Sequence, residues 1–97
     1  MLMGKYILEG REPVPCEDLF KWGAWFESAK RHVADDTIGD VRVSTVFLAL
    51  DHSFREGRPQ LFETMVFGGP LDGLCERYAT WDEAEQGHRA VLAQIKG

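Results

Sequence analysis

Cysteine is scarce in this chain: among 97 residues only Cys16 and Cys75 occur, far apart and outside any CxxC, so neither a disulfide framework nor a zinc knuckle is expected. Long apolar runs are missing as well. The longest, residues 43–50, contains Thr45 and falls far short of the roughly 20 residues that cross a bilayer, so no membrane span is predicted. The opening Met1-Leu2-Met3-Gly4-Lys5 lacks the apolar core of a secretory leader, and Gly4 is not followed by the Ser or Thr of a myristoylation signal. Cytoplasmic residence is the resulting expectation. Positive charge is in short supply, with 11 Lys and Arg against 16 Asp and Glu and a net charge of -5. The acids are scattered, so charge gives a nucleic-acid partner no support and no basic groove is expected.

Motifs of catalysis and metal binding are equally sparse. There is no HExxH, no HxH and no paired cysteine motif, so metal-ligand spacing is lacking as a pattern. Ser28, Ser44 and Ser53 stand outside any G-x-S-x-G context, and Cys16 follows Pro15 without a catalytic signature. Gly68-Gly69-Pro70 has the spacing of neither a P-loop nor GxGxxG, and Pro70 removes an amide a phosphate cradle would use. Neither metal nor cofactor is predicted.

What the chain does contain is ordinary globular material. A hydrophobic content of 44% with 28% charged residues argues against disorder, and 97 residues suit one hydrophobic core rather than two. Residues 5–9 alternate as a short edge strand, which Gly10, Pro13 and Pro15 stop. From 18 to 33, Leu19, Trp22, Gly23, Phe26, Ala29 and Val33 recur at helical spacing, with acids near the start and Lys30, Arg31 and His32 at the end. Residues 35–40 have the composition of a turn. Residues 41–50 carry apolar groups on both faces, as a central strand does, and after a polar loop at 51–60 a strand at 61–67 most simply returns as its hairpin partner. A fourth short strand is predicted at 76–79. Thr80-Trp81-Asp82-Glu83 matches the capping box, starting a helix whose stripe is Ala84, His88, Val91, Leu92 and Ile95. Gly87 lowers the helix propensity of this segment by roughly 1 kcal/mol, which suits a close backbone approach to a neighbour. The order β-α-β-β-β-α predicts an α+β domain with two helices packed on a small antiparallel sheet of three or four strands.

Candidate site residues follow from this layout. His88, on the buried stripe, needs a hydrogen-bond partner: either a backbone carbonyl or a strand residue such as Glu63, Thr64 or Tyr78 in the core, or a pocket where it serves as base or ligand. Asp51 and His52 close the central strand and open a loop. Glu63 lies with Leu61, Met65 and Phe67 on an otherwise apolar face, and pairing of Leu50 with Leu61 would set it opposite Leu48, near Asp51 and His52. The alternative reading, a small-molecule- or metal-dependent enzyme, would use Asp51, His52 and Glu63 as an acid-base pair or as part of a metal site, with His88 as a further candidate. Trp25 falls off the main helical stripe, and Phe54 sits in a charged loop; both are candidate protein contacts.

The strings VSTVFLALDH at 43–52, LFETMVFGG at 61–69 and YATWDEAEQGH at 78–88, together with residues 22–27, resemble a small family encoded in phages and prophages. The likeness takes in most of the chain. It implies expression in a bacterial cytoplasm, and neither an activity nor a catalytic residue carries over with it. An accessory protein that binds a host or viral protein, such as a host enzyme or defence system, is the function this provenance implies, with an oligomerising protein, for instance a homodimer, as the structural alternative.

Overall fold

The computed structural model describes residues 4–51 and 57–97. Eight elements follow one another: β1 (Tyr6–Glu9), β2 (Glu12–Pro15), α1 (Leu19–Ser28), β3 (His32–Ile38), β4 (Val41–Phe47), β5 (Phe62–Phe67), β6 (Cys75–Tyr78) and α2 (Trp81–Lys96). Strands β3-β4-β5-β6 form an antiparallel sheet in that order, and β1-β2 form a separate hairpin. The α+β class holds, and two strands join the expected order.

The first added strand is β2, where the prolines do not stop the ladder. Gly10, at φ 64, is the first residue of a two-residue turn that pairs Glu9 with Glu12, and Leu8 then faces Pro13 and Tyr6 faces Pro15. In a two-residue hairpin the hydrogen-bonded pairs are 9/12, 7/14 and 5/16, and Cys16 N donates to Lys5 O at 2.8 Å. Both prolines thus occupy positions whose nitrogen points away from the partner, as an edge strand tolerates.

The second added strand is β3, which takes over the end of the expected helix and most of the expected turn. Helix α1 starts at Asp18, whose carboxylate accepts from the amides of Phe20 and Lys21, and ends before Ala29, which is extended at ψ 143. From His32 to Ile38 the chain pairs with β4, with an irregularity between His32 and Ala34, and only Gly39 and Asp40 are left to turn. Acids in this stretch do not forbid a strand at the sheet edge, where charge guards against unwanted pairing.

As expected of a central strand, β4 has neighbours on both edges, β3 and β5. Val43, Thr45 and Phe47 face Val66, Thr64 and Phe62 across the β4–β5 ladder, and all six are buried beneath α2. The core divides into a cluster of Phe47, Ala49, Leu61, Phe62 and Ala84, joined by Trp22 and Trp25 of α1, and a second cluster of Val43, Val66 and Val91. The two threonines lie between them. Among the described residues no helix is long and apolar enough to cross a membrane.

At the start of α2, Thr80 Oγ1 accepts from Glu83 N at 3.1 Å, as the capping box requires. The Glu83 carboxylate reaches one residue further back than expected, accepting from Ala79 N at 3.2 Å. Ala84, His88 and Val91 form the buried stripe.

Candidate functional site

Helix α2 sets His88 over the middle row of the sheet, where it is 2% exposed. Its Nδ1 lies 2.7 Å from Thr45 Oγ1, which is 2.5 Å from Thr64 Oγ1, and its Nε2 lies 2.7 Å from Asp36 Oδ2. The Asp36 carboxylate can only accept, so Nε2 carries the hydrogen. In the neutral ring Nδ1 is then an acceptor: Thr45 donates to it, and Thr64 donates to Thr45. Among the described residues no buried side-chain nitrogen or oxygen lacks a hydrogen bond.

Asp36–His88–Thr45 has the connectivity of a nucleophilic triad, but exposure runs the wrong way. The Asp36 side chain is 52% exposed, whereas both hydroxyls are fully buried. A substrate cannot reach an oxygen sealed between helix and sheet. The chemistry available here is structural: a polar row, bounded by apolar rows, that allows α2 one axial position on the sheet. Of the strand partners expected for His88, Thr64 is one step removed, while Thr45 and Asp36 make the direct bonds.

Glu63 lies on the opposite face of the sheet from His88. It accepts from Arg77 Nε at 3.0 Å and from Cys75 Sγ at 3.3 Å. Burial, reinforced by this carboxylate, pushes the Cys75 thiol up, so it stays protonated and weakly nucleophilic at neutral pH. The β4–β5 register also differs from the expected one: Glu63 pairs with Val46, not Leu48. The cause is Ala49, whose φ of 66 turns the chain out of the ladder, after which Leu50 bridges to Lys5. Asp51 accepts from Gln60 N at 3.1 Å and donates its own amide to Gly4 O at 3.0 Å. His52 and Phe54 lie outside the described residues. Glu63 and His88 are therefore not brought together, and among the described residues no group of three or more His, Cys, Asp or Glu has a metal-binding arrangement.

Trp25 points inward, edge-on to Phe47 with ring centres 5.7 Å apart. Among the described residues, the large apolar side chains that do face solvent are Leu19, Phe20 and Phe67. Phe67 belongs to a broader surface. Both helices pack on the Phe47 face, and on the other face Val46, Met65 and Phe67 form a strip against which neither helix packs, with Val46 and Met65 half-buried, Phe67 exposed and Ser44, beside Met65, buried. Asp35–Arg42 flanks it on one side, held by bonds of 3.0 and 2.7 Å, and Glu63–Arg77 on the other. Arg42 also lies 5.9 Å from the centre of the Phe67 ring. The sequence signalled a central strand apolar on both sides, and two predicted helices could have covered one side each; their placement on one side is what leaves this face open.

Two exposed ion pairs set the acid limb of stability. The Arg42 guanidinium holds the Asp35 carboxyl below its ordinary value, and Arg58, 3.0 Å from Glu83, does the same there, aided by the Ala79 amide. Depressed folded-state values mean stability that is present above the unfolded carboxylate range and lost as pH falls from that range through the lower folded-state values. The urea midpoint is expected to fall over that interval, and Glu83→Gln to flatten the slope. An unchanged slope in Glu83→Gln would remove Glu83 from this account.

Comparison with protein-family models, with curated proteins and with solved structures gives no match.

Proposed function

We propose that this chain is a small phage- or prophage-derived accessory protein, acting in the bacterial cytoplasm by binding a host or viral protein through the uncovered face of the four-stranded sheet. The observation that carries the reading is the strip of Val46, Met65 and Phe67, with Phe67 46% exposed at its end. An apolar centre edged by paired charges has the anatomy of a protein interface, whose middle is depleted of free charge and whose rim is polar. Arg42 adds a planar cation already desolvated on one side by Phe67 and positioned by Asp35, the kind of residue that anchors interfaces.

The test compares three forms of the immobilised full chain in host lysate: the parent, Phe67→Asp and Phe20→Asp. A protein retained by the parent and by Phe20→Asp, but reduced at least about 10-fold by Phe67→Asp, supports the reading, since a charge desolvated within an apolar contact costs that much. Equal retention by all three, or by none, overturns it. Sedimentation of the same three forms separates a foreign partner from a second copy. A dimer abolished by Phe67→Asp would make the strip a homodimer interface.

A further inference from the structure

The tip of the β1–β2 hairpin leans over the first turns of α2. Arg11 places its guanidinium carbon 5.3 Å from the centre of the Trp81 ring and its Nη1 3.4 Å from Glu85 Oε1. That same oxygen accepts from Trp81 Nε1 at 2.9 Å. An indole face fixed beside a carboxylate is a seat for a planar cation, the ring supplying its quadrupole and the carboxylate its charge. The chain's own arginine fills that seat loosely, with its side chain 69% exposed and its ion pair at the long limit of a hydrogen bond.

Beside this seat, between the hairpin and the start of α2, runs an open groove of about 550 Å³. Tyr6, Pro59 and Trp81 give it apolar walls, and Glu9, Glu12 and Asp82 give it negative charge, while Arg11 is the one positive side chain among the described residues that line it. Glu9 and Glu12 are direct cross-strand partners. Like charges so placed destabilise a hairpin, and a cation between them relieves that repulsion.

We propose that this groove binds an arginine side chain carried on an extended segment of a partner protein, the incoming guanidinium displacing Arg11 from Trp81 and Glu85. The groove lies away from the open sheet face, so the proposal stands or falls separately from the reading above. Lysine is the weaker ligand, because its compact, strongly hydrated ammonium gains less from an aromatic face than a stacked guanidinium does.

The experiment is an NMR titration of the full chain, following the Trp81 indole resonance, with a capped Gly-Arg-Gly-Arg-Gly peptide and its lysine counterpart. The arginine peptide is expected to shift that resonance and to bind at least about 5-fold more tightly than the lysine peptide. Arg11→Ala, in an exposed turn, removes the competitor that sits over Trp81, while Arg89 stays 3.9 Å from the other Glu85 oxygen, and is expected to tighten binding about 3- to 10-fold. Glu85→Gln is expected to weaken it at least about 5-fold. An unmoved Trp81 resonance, equal affinity for the two peptides, or binding unchanged or weakened in Arg11→Ala overturns the proposal. The backbone amide spectrum confirms that each variant is folded.

Discussion

Replacing His88 with alanine is expected to lower the unfolding free energy by about 3 to 4 kcal/mol, read from urea denaturation. Two losses combine. The buried ring leaves a cavity between Thr45 and Asp36, and the Thr45 hydroxyl loses the acceptor for its hydrogen. His88→Leu separates them: it refills much of the space and leaves the hydroxyl defect, so about 1 to 2 kcal/mol should remain. Thr45→Val is expected to cost about 1 to 3 kcal/mol, because it leaves Nδ1 without a donor inside the core. Asp36→Asn should cost less than about 1 kcal/mol, since its half-exposed carboxylate returns to water when unpaired. Thr45→Val combined with His88→Leu should cost less than the sum of the two, because the Thr45–His88 bond then leaves neither of its ends unpaired and, inside the core, only the Thr64 hydroxyl loses a partner. A His88→Ala variant within about 1 kcal/mol of the parent would sink the view that this row fixes the helix on the sheet.

That row shows what was legible in the sequence and what was not. The stripe of α2 placed His88 inside because helical spacing is local information, and the capping box fixed the helix start for the same reason. Its partners were not readable, because they depend on the register of two strands and on the existence of a third. Thr45 and Thr64 are each the middle residue of an inward-facing triplet, Val43-Thr45-Phe47 and Phe62-Thr64-Val66. That symmetry is visible once the register is known. The expected pairing of Leu50 with Leu61 concealed it, for the break at Ala49 is a backbone turn of a non-glycine residue that no local pattern announces.

Strand β3 was missed for a related reason. His32–Ile38 has no alternation of its own; it becomes a strand because β4 offers a free edge, and its acids then acquire partners. Asp36 meets His88 on one face and Asp35 meets Arg42 on the other. Tertiary context here overrides local composition. The same logic explains the open face: residues 43–48 announced a two-sided strand, but only the placement of both helices on one side shows which apolar groups remain for a partner.

Gly87→Ala is expected to destabilise the chain by about 1 to 2 kcal/mol, although alanine is the better helix former by about 1 kcal/mol. A Cβ built at Gly87 would overlap Oη, Cζ and Cε1 of Tyr78, whose ring lies across the helix backbone. Tyr78 is half-buried and borders an open groove together with Gly87, so what holds its ring against the helix is its anchorage in the sheet. It pairs with Phe62 across the β5–β6 ladder and packs against the larger core cluster, while burial pushes its phenol pKa up against the opposing effect of the Thr64 hydroxyl. Overpacking of this kind costs about 1 to 3 kcal/mol, and it must exceed the propensity gain for the net effect to be unfavourable. The decisive comparison is a double-mutant cycle. With Tyr78 cut back to alanine the obstruction is gone, so Gly87→Ala should reverse sign and stabilise by about 0.5 to 1 kcal/mol, giving a coupling energy of about 1.5 to 3 kcal/mol. If Gly87→Ala has the same sign and size in both backgrounds, the glycine is not there for Tyr78, and the docking of α2 beside β6 rests on contacts other than this close approach.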